Sequence, residues 1–306
     1  MNEKTPLIRL AKREDMPKRK IWLIRAAAFL LAIVLGGLVF FIAGTNPITA
    51  YGAILSSSLG KASGVKQVVK IAVPLLGTAL ALAPCFAMRF WNIGGEGQIT
   101  MGAVAASFFA LNYAGSIPSP LLLLLMGIFS ILFGAAWAAI PASFKARWGT
   151  NETLFTLMMN YIAIGIVGWL QGGPWEGKPG SQIIPMFDQA AVLPKVFGVH
   201  CGWIIVLLLT AGMYIYMNYT KQGYEIAVLG ESENTARYAG MNVAKVTIRT
   251  ACLSGGICGL IGFMVCSGTN MTLYADVAGG VGFTAIVVAW LAQFNPFAMI
   301  AISLLL

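Results

Sequence analysis

Residues 92–98 read Asn-Ile-Gly-Gly-Glu-Gly-Gln and lie between two apolar runs, at 71–88 and 99–113. A carboxylate at membrane depth is costly and is usually functional. Three glycines within four residues disfavour an unbroken helix, and irregular backbone inside a bilayer persists only where protein or a water-filled cavity satisfies it. We therefore predict a broken-helix segment near residues 90–98 that faces a pathway. The alternative is a cytoplasmic loop in which Glu96 pairs with Arg89.

The composition indicates a membrane protein. Of the 306 residues, 58% are hydrophobic and only 10% are charged, whereas soluble domains carry about 25% charged residues. The apolar residues form several runs of about 17 to 22 residues, the length that crosses a hydrocarbon core. The predicted fold class is an all-α polytopic membrane protein, a helical bundle with the break described above and a cytoplasmic helix described below.

The apolar runs define the predicted domain organisation. Residues 1–20 form a basic cytoplasmic tail, and residues 21–306 form a transmembrane domain. The first run is too long for a signal-peptide core and is read as a retained helix. Because the chain ends inside an apolar run, we expect a truncated sequence with further spans missing. The predicted spans are 21–44, 68–89, 98–114, 119–140, 153–171, 201–219, 247–268 and 281–293, with a ninth segment from residue 297.

The net charge of +9 is unevenly distributed, because eight of the twenty Lys and Arg residues precede Ala26. This pattern is typical of a cytoplasmic tail that meets anionic lipid headgroups, and it argues against a nucleic-acid-binding face. With the N-terminus inside, the predicted loops place fifteen basic residues on the inner side and five on the outer side. The count predicts a cytoplasmic N-terminus.

Cysteine and histidine patterns give no sign of a metal centre or a cofactor site. The five cysteines are scattered and fit neither a disulfide framework nor a metal motif. His200 is the only histidine and is read as an interfacial polar residue.

The fifth predicted span carries Thr156 and Asn160, which are four residues apart and therefore share one helix face. Polar residues on a membrane helix either bond to a neighbouring helix, the commoner case, or line a path. A second helix face, on the seventh span, carries Gly255, Gly259 and Gly262 and is expected to allow close packing.

The inner loop 221–249 contains a compact polar segment, residues 230–240. Ser232 can cap a short helix, Glu233 suits its first turn, and Gly240 can close it in a left-handed conformation. Such a helix is either a rigid lever for a partner protein or a solvated connector.

Four residues late in this segment define its expected outer surface. Arg237 and Tyr238 are expected to project toward a docked partner. Ala236 and Ala239 are expected to keep the helix slim enough to enter a groove.

Three stretches, 90–98, 152–163 and 230–240, together resemble the permease subunits of ABC importers in the monosaccharide and branched-chain amino acid permease family. The closest subgroup is the nucleoside permeases that work with a binding lipoprotein, and the resemblance covers roughly residues 20–306. Sugar permeases of this family usually carry an Asp-Leu-Ser-x-Gly-Ser type segment at 92–98. The nucleoside subgroup more often has Asn-Pro where this chain has Ser232-Glu233.

The resemblance implies functions for both polar segments. The substrate pathway would be lined by Asn92, Glu96, Gln98 and Asn160. Coupling to the ATPase would use Glu231, Ser232, Ala236, Arg237, Tyr238 and Gly240. The implied partners are an ABC ATPase subunit, a second permease subunit and an extracellular substrate-binding lipoprotein, in a bacterial plasma membrane. The sequence contains no Gly-x-x-x-x-Gly-Lys-Ser/Thr motif, so ATP hydrolysis is expected on a separate subunit.

Two other classes of protein compete with this interpretation. A secondary, proton-coupled transporter would use Glu96 as its protonatable group, and broken helices fit it equally well. A membrane-embedded enzyme is disfavoured, since paired carboxylates and nucleophile–base arrangements are lacking in the sequence. Within the same family, sugars or amino acids are alternative substrates.

Overall fold

The computed structural model describes residues 17–306, and the chain divides after Val65 into two compact units. The predicted tail, residues 1–20, lies almost entirely outside the described residues. In the first unit, α1 (Lys18–Ile42) and α2 (Pro47–Leu59) are bent by 110° where they join. Asn46 caps α2 by accepting a hydrogen bond from the Ile48 amide at 3.0 Å. The Tyr51 hydroxyl ties α2 back to the Ile33 carbonyl at 2.7 Å.

The second unit is a bundle of helices with one small hairpin. Five of its helices are long and apolar enough to cross a membrane, which confirms the predicted fold class. They are α3, α5, α6, α7 and α10, the last extended by a π-helical turn at Val265–Asn270. The helices are α3 (Ala62–Ala87), α4 (Gly95–Tyr113), α5 (Ser119–Trp148), α6 (Glu152–Gln171), α7 (Gly202–Tyr219), α8 (Lys221–Glu231), α9 (Glu233–Tyr238), α10 (Val243–Met264), α11 (Val281–Leu291) and α12 (Pro296–Leu305).

Local chemistry accounts for where several helices begin and end. Gly149 closes α5 in the left-handed region at φ 66°. The Asn151 side chain then caps α6 by accepting from the Leu154 amide at 3.1 Å. Asn242 caps α10 in the same way. These side chains satisfy amides that the first helical turn leaves without partners.

The segment predicted as a span at 281–293 forms α11 with nearly the predicted bounds, but this helix is too short to cross a membrane alone. The 11 residues of α11 rise only about 16 Å, roughly half of a hydrocarbon core. The cause is local, because Gly279 and Gly280 adopt left-handed conformations, at φ 58° and 76°, immediately before the helix. The chain therefore contains a half-length helix whose N-terminus lies inside the bundle.

Helices α4, α5 and α10 pack against one another through small residues, as the glycine pattern of the seventh span predicted. A Cβ added at Gly259 would collide with the Ser130 carbonyl of α5, and one added at Gly102 would collide with Gly259. The Ser130 hydroxyl donates to the Gly102 carbonyl at 2.7 Å. This close approach of the backbones packs α4, α5 and α10 tightly next to the break between α3 and α4.

The second unit has two chemically different ends. The α9 end contains α8, α9 and the Lys145–Glu152 ion pair, whose charged atoms are 2.8 Å apart. The loop end contains residues 172–200, including a 3-10 turn at Gln189–Ala191 and a hairpin of β1 (Lys195–Val196) with β2 (Val199–His200).

Candidate translocation and coupling sites

The predicted break lies between the end of α3 and the start of α4. Residues 88–94 are non-helical, and Arg89 takes a left-handed conformation at φ 60°. Asn92, Glu96 and Gln98 are nevertheless buried, at 0%, 4% and 1% exposure. The polar side chains at the break are therefore enclosed by protein, whereas Arg89 and Trp91 are exposed.

Asn92 organises the first half of the break through hydrogen bonds. Its Oδ1 accepts from the Gly94 amide and from the Gln98 side chain, both at 3.0 Å. Its Nδ2 donates to the Ser254 hydroxyl of α10 at 3.2 Å. These bonds replace the backbone pairs that a continuous helix would have made.

Asn160 organises the second half from the neighbouring helix α6. Its Oδ1 accepts from the Gly97 amide at 2.8 Å, and its Nδ2 donates to the Ile93 carbonyl at 3.0 Å. One turn away, the Thr156 hydroxyl accepts from the Ile93 amide at 3.2 Å. The polar face predicted on this helix therefore bonds to the break, which is the commoner of the two roles considered for it.

Glu96 connects the break to the half-length helix α11. Its two carboxylate oxygens accept from the backbone amides of Gly280 and Gly282, each at 2.7 Å. A Cβ added at Gly282 would collide with the Glu96 backbone. The carboxylate lies in the first turn of α4 and at the start of α11, where the helix dipoles favour a negative charge. We call this arrangement the Glu96 clamp.

The clamp overturns the alternative pairing of Glu96 with Arg89. Together with the bonds of Asn92, Gln98 and Asn160, it occupies all four predicted pathway residues with bonds to the protein itself in this conformation. Contact with a substrate requires this network to exchange partners.

An aromatic cluster lies beside the break, and the sequence analysis did not find it. The rings of Trp91 and Trp290 are stacked, with centroids 5.6 Å apart and planes 16° apart. Phe86 and Phe294 pack against Trp290 at 6.0 and 5.0 Å. The available signals were the position of Trp91 directly before the polar stretch and the four-residue spacing of Trp290 and Phe294.

The short helix predicted within residues 230–240 is α9, and both of its end signals are confirmed. The Ser232 hydroxyl accepts from the Thr235 amide at 3.3 Å. Gly240 closes the segment at φ 73°. Arg237 and Glu233 form an exposed ion pair at 2.7 Å, one turn apart.

The orientation expected for Ala236 is wrong. Its side chain is 1% exposed and belongs to an apolar cluster with Met88, Phe90 and Val246. The reason is that α9 must bury one face to hold its position, and Ala236 lies at the centre of that face. By contrast, Tyr238 is 93% exposed, and Glu231, Arg237, Ala239 and Gly240 are also exposed.

A cavity of about 880 Å³ lies beside α9 at the same end of the bundle. Its wall combines charged side chains from four segments: the break, α5, α6 and α9. They include Arg89, Lys145, Glu152, Glu233 and Arg237.

At the loop end, His200 is buried against the π-helical turn. It is 2% exposed, and its ring nitrogens have no hydrogen-bond partner among the described residues. A Cβ added at Gly268 or Gly202 would approach its ring to 2.7 Å. Burial, and secondarily the nearby charge of Lys70, lowers the pKa of His200 from its ordinary 6.5.

Within residues 17–306, the structure shows no group of three His, Cys, Asp or Glu side chains placed to hold a metal ion.

The chain is similar over most of its length to proteins named as ABC transporter permeases. Residues 64–306 match the family described as branched-chain amino acid transport system / permease component. The chain is 30% identical to the glucose ABC transporter permease protein TsgB13 of Haloferax volcanii, over 94% of this chain and 78% of that one. It is 30% identical to the guanosine ABC transporter permease protein NupP of Bacillus subtilis, over 88% and 79% of the two chains. It is 26% identical to the nucleoside ABC transporter permease protein NupB of Lactococcus lactis, over 94% and 82%. No solved structure matches the chain.

Proposed function

Because this chain belongs to the family of branched-chain amino acid transport system permease components, we propose that it forms half of the pathway of an ATP-driven nucleoside importer. The observation that carries the proposal is its similarity, over most of its length, to permeases named for guanosine and nucleosides. The buried polar break in a helical membrane bundle supports it, since transporter sites are typically built on interrupted helices.

In this proposal α9 is the coupling helix that meets a separate ATPase subunit. Tyr238 and Arg237 provide its exposed contact surface, flanked by Glu231 and Gly240, while Ser232 fixes its start. Ala236 has a structural role, because its buried side chain packs α9 against residues at the ends of α3 and α10. A large, exposed aromatic side chain beside an arginine is a typical anchor for a protein interface.

The same attachment suggests how ATP-driven motion reaches the substrate. A Cβ added at Gly230 would collide with the carbonyl of Ala87, so α8 lies directly on the last turn of α3. The break begins immediately after that turn. Displacing α9 would therefore shift the segment that carries Asn92. In this proposal the shift moves the break between two arrangements, one that exposes the pathway outward and one that exposes it inward.

In the open arrangement, the break offers groups suited to a nucleoside. The amides of Asn92, Gln98 and Asn160 both donate and accept, and the Glu96 carboxylate accepts. Ribose hydroxyls and the edge of a base present the complementary donors and acceptors. Each side chain that leaves an internal partner can then bond to a polar group of the substrate instead.

The proposed assembly contains a second permease subunit and a substrate-binding lipoprotein at the loop end, with the N-terminus and α9 in the cytoplasm. The distribution of fifteen inner and five outer basic residues supports this orientation. Cysteines placed at residues 181–189 are expected to react with an impermeant thiol reagent from outside, and those at 231–234 only from inside. The opposite labelling pattern would overturn the orientation.

The function is tested by reconstituting the permease with its ATPase and lipoprotein and measuring uptake of labelled guanosine, uridine and glucose. ATP-dependent uptake of the nucleosides, unaffected by collapsing a proton gradient, is expected. Uptake that follows the proton gradient without ATP would establish the secondary transporter instead. Glucose uptake that excludes nucleosides would favour sugar import, for which the similarity to a glucose permease is the specific support.

A further inference from the structure

Trp91, at the break, and Trp290, on α11, form a stacked pair that is here called the indole pair. Each indole is 45% exposed, whereas Phe86 behind them is 4% exposed. Their planes differ by only 16°, so the two rings stack on each other and cover each other's inner faces, while Phe86 packs against both of them.

The position of the pair connects it to both arms of the break. Trp91 precedes Asn92, whose side chain bonds to Gln98 and Ser254. Trp290 lies on α11, whose first turn is held by the Glu96 clamp. Any movement that separates the break from α11 must therefore change the overlap of the two indoles.

A partly exposed indole, directly before the buried amide of Asn92 in the chain, has a specific binding chemistry. Aromatic faces stack on heteroaromatic rings regardless of their substituents, while adjacent amides can bond to ring edges. Ribose alone offers hydroxyl groups but no planar π-system. A planar base can stack on an indole through its π-system, whereas ribose can offer it only C–H groups.

We infer that the indole pair is the binding platform for the base of the transported nucleoside, with the amides of the break serving the remainder of the molecule. This inference rests on the proposed function and adds to it the part of the substrate that is recognised. An anchoring role in the membrane interface is the competing explanation, because tryptophans also concentrate there.

The test uses the full complex in proteoliposomes with Trp91→Leu, Trp290→Leu and the conservative Trp91→Phe. Trp169, which is 67% exposed on α6, provides the matched control Trp169→Leu. Loss of a base–aromatic contact is expected to raise KM for guanosine roughly 5- to 150-fold, with kcat much less affected. Trp91→Phe should recover most of the affinity, and Trp169→Leu should match the parent.

A second measurement does not depend on the variants folding. Guanosine, and guanine alone, are expected to quench tryptophan fluorescence of the parent complex and to compete for uptake, whereas ribose should do neither. Equal KM values in parent and both leucine variants, with guanosine transport intact, would overturn the platform and leave nucleoside import standing. Losses of membrane abundance that are equal in Trp169→Leu and Trp91→Leu would identify an anchoring role. If the parent complex transports glucose but no nucleoside, the proposed function itself fails.

Discussion

The carboxylate of Glu96 accepts a hydrogen bond from the backbone amide of Gly282, which lies 186 residues later in the chain, at 2.7 Å. Its other oxygen accepts from Gly280 at the same distance. The pair joins the start of α4 to the start of the half-length helix α11. The costly buried charge thus has a structural role, and it also makes the junction sensitive to small changes in geometry.

Glu96→Gln is expected to weaken this junction. An amide keeps one acceptor but turns a donor toward a backbone N–H, so one of the two bonds is lost, at a cost of about 1–3 kcal/mol. We expect a lower Tm in detergent together with reduced uptake. Glu231→Gln, which changes an exposed carboxylate, serves as the control for stability. Normal stability and uptake in Glu96→Gln would show that the clamp is dispensable.

Asn160→Leu is expected to destabilise the break, because leucine cannot bond to the Gly97 amide or the Ile93 carbonyl. Leaving these buried groups unpaired costs about 1–3 kcal/mol each before any relaxation. Thermal unfolding of the purified protein measures the effect. Asn112→Leu changes an exposed asparagine and should have little influence; comparable losses in both variants would contradict the assignment.

Gly259→Ala should disrupt the contact between α10 and α5, since the added Cβ would collide with the Ser130 carbonyl. Overpacking of this kind costs about 1–3 kcal/mol or more. The matched control is Gly165→Ala on α6, where a Cβ would meet nothing within 4 Å. Yield and Tm should fall only for Gly259→Ala, and an unchanged Tm would show that the helices can separate without loss.

Ala236→Trp and Ala239→Trp should behave differently although they add the same side chain. Ala236 is buried, so tryptophan there is expected to prevent stable folding. Ala239 is exposed, so tryptophan there should leave a folded, membrane-inserted permease that no longer retains its ATPase during purification. If Ala239→Trp retains full ATPase co-purification and turnover, α9 is a plain connector. Tyr238→Ala tests the same surface by removal of bulk.

Stability should depend on pH through His200. Burial lowers its pKa below 6.5, so the unfolded chain takes up the proton first as the pH falls. The folded state therefore loses stability from about pH 6.5 downward until the lowered folded pKa is passed, and it is unaffected by this group above that range. Comparing Tm between pH 7.5 and 5 in the parent and in His200→Phe isolates the contribution. Parallel curves would show that the ring is not buried in its neutral form.

Local signals made much of this structure predictable. Ser232 and Gly240 mark the ends of α9 because capping and left-handed closure depend on residues a few positions apart. The glycines at 94, 95 and 97 marked the break for the same reason. The face of Thr156 and Asn160 followed from helix periodicity alone.

Other features depend on contacts between distant segments, and the sequence did not reveal them. Nothing near Glu96 indicates that its partners are Gly280 and Gly282. The bounds of α11 were close to those predicted, but hydropathy gave no sign of the left-handed glycine pair that begins it inside the bundle. Ala236 was misplaced because a six-residue helix shows too few turns for its buried face to be read from periodicity.

The contact of Gly230 with the Ala87 carbonyl joins α8 to α3 only five residues before Asn92. Backbone hydrogen bonds fold the segment between them, including one from the Asn92 amide to the Phe90 carbonyl at 2.9 Å. Coupling between two sites is reciprocal, so in the proposed importer a nucleoside that rearranges the break also alters how Tyr238 is presented to the ATPase. Whether the substrate site is empty or occupied would then affect the ATPase subunit before it hydrolyses any ATP.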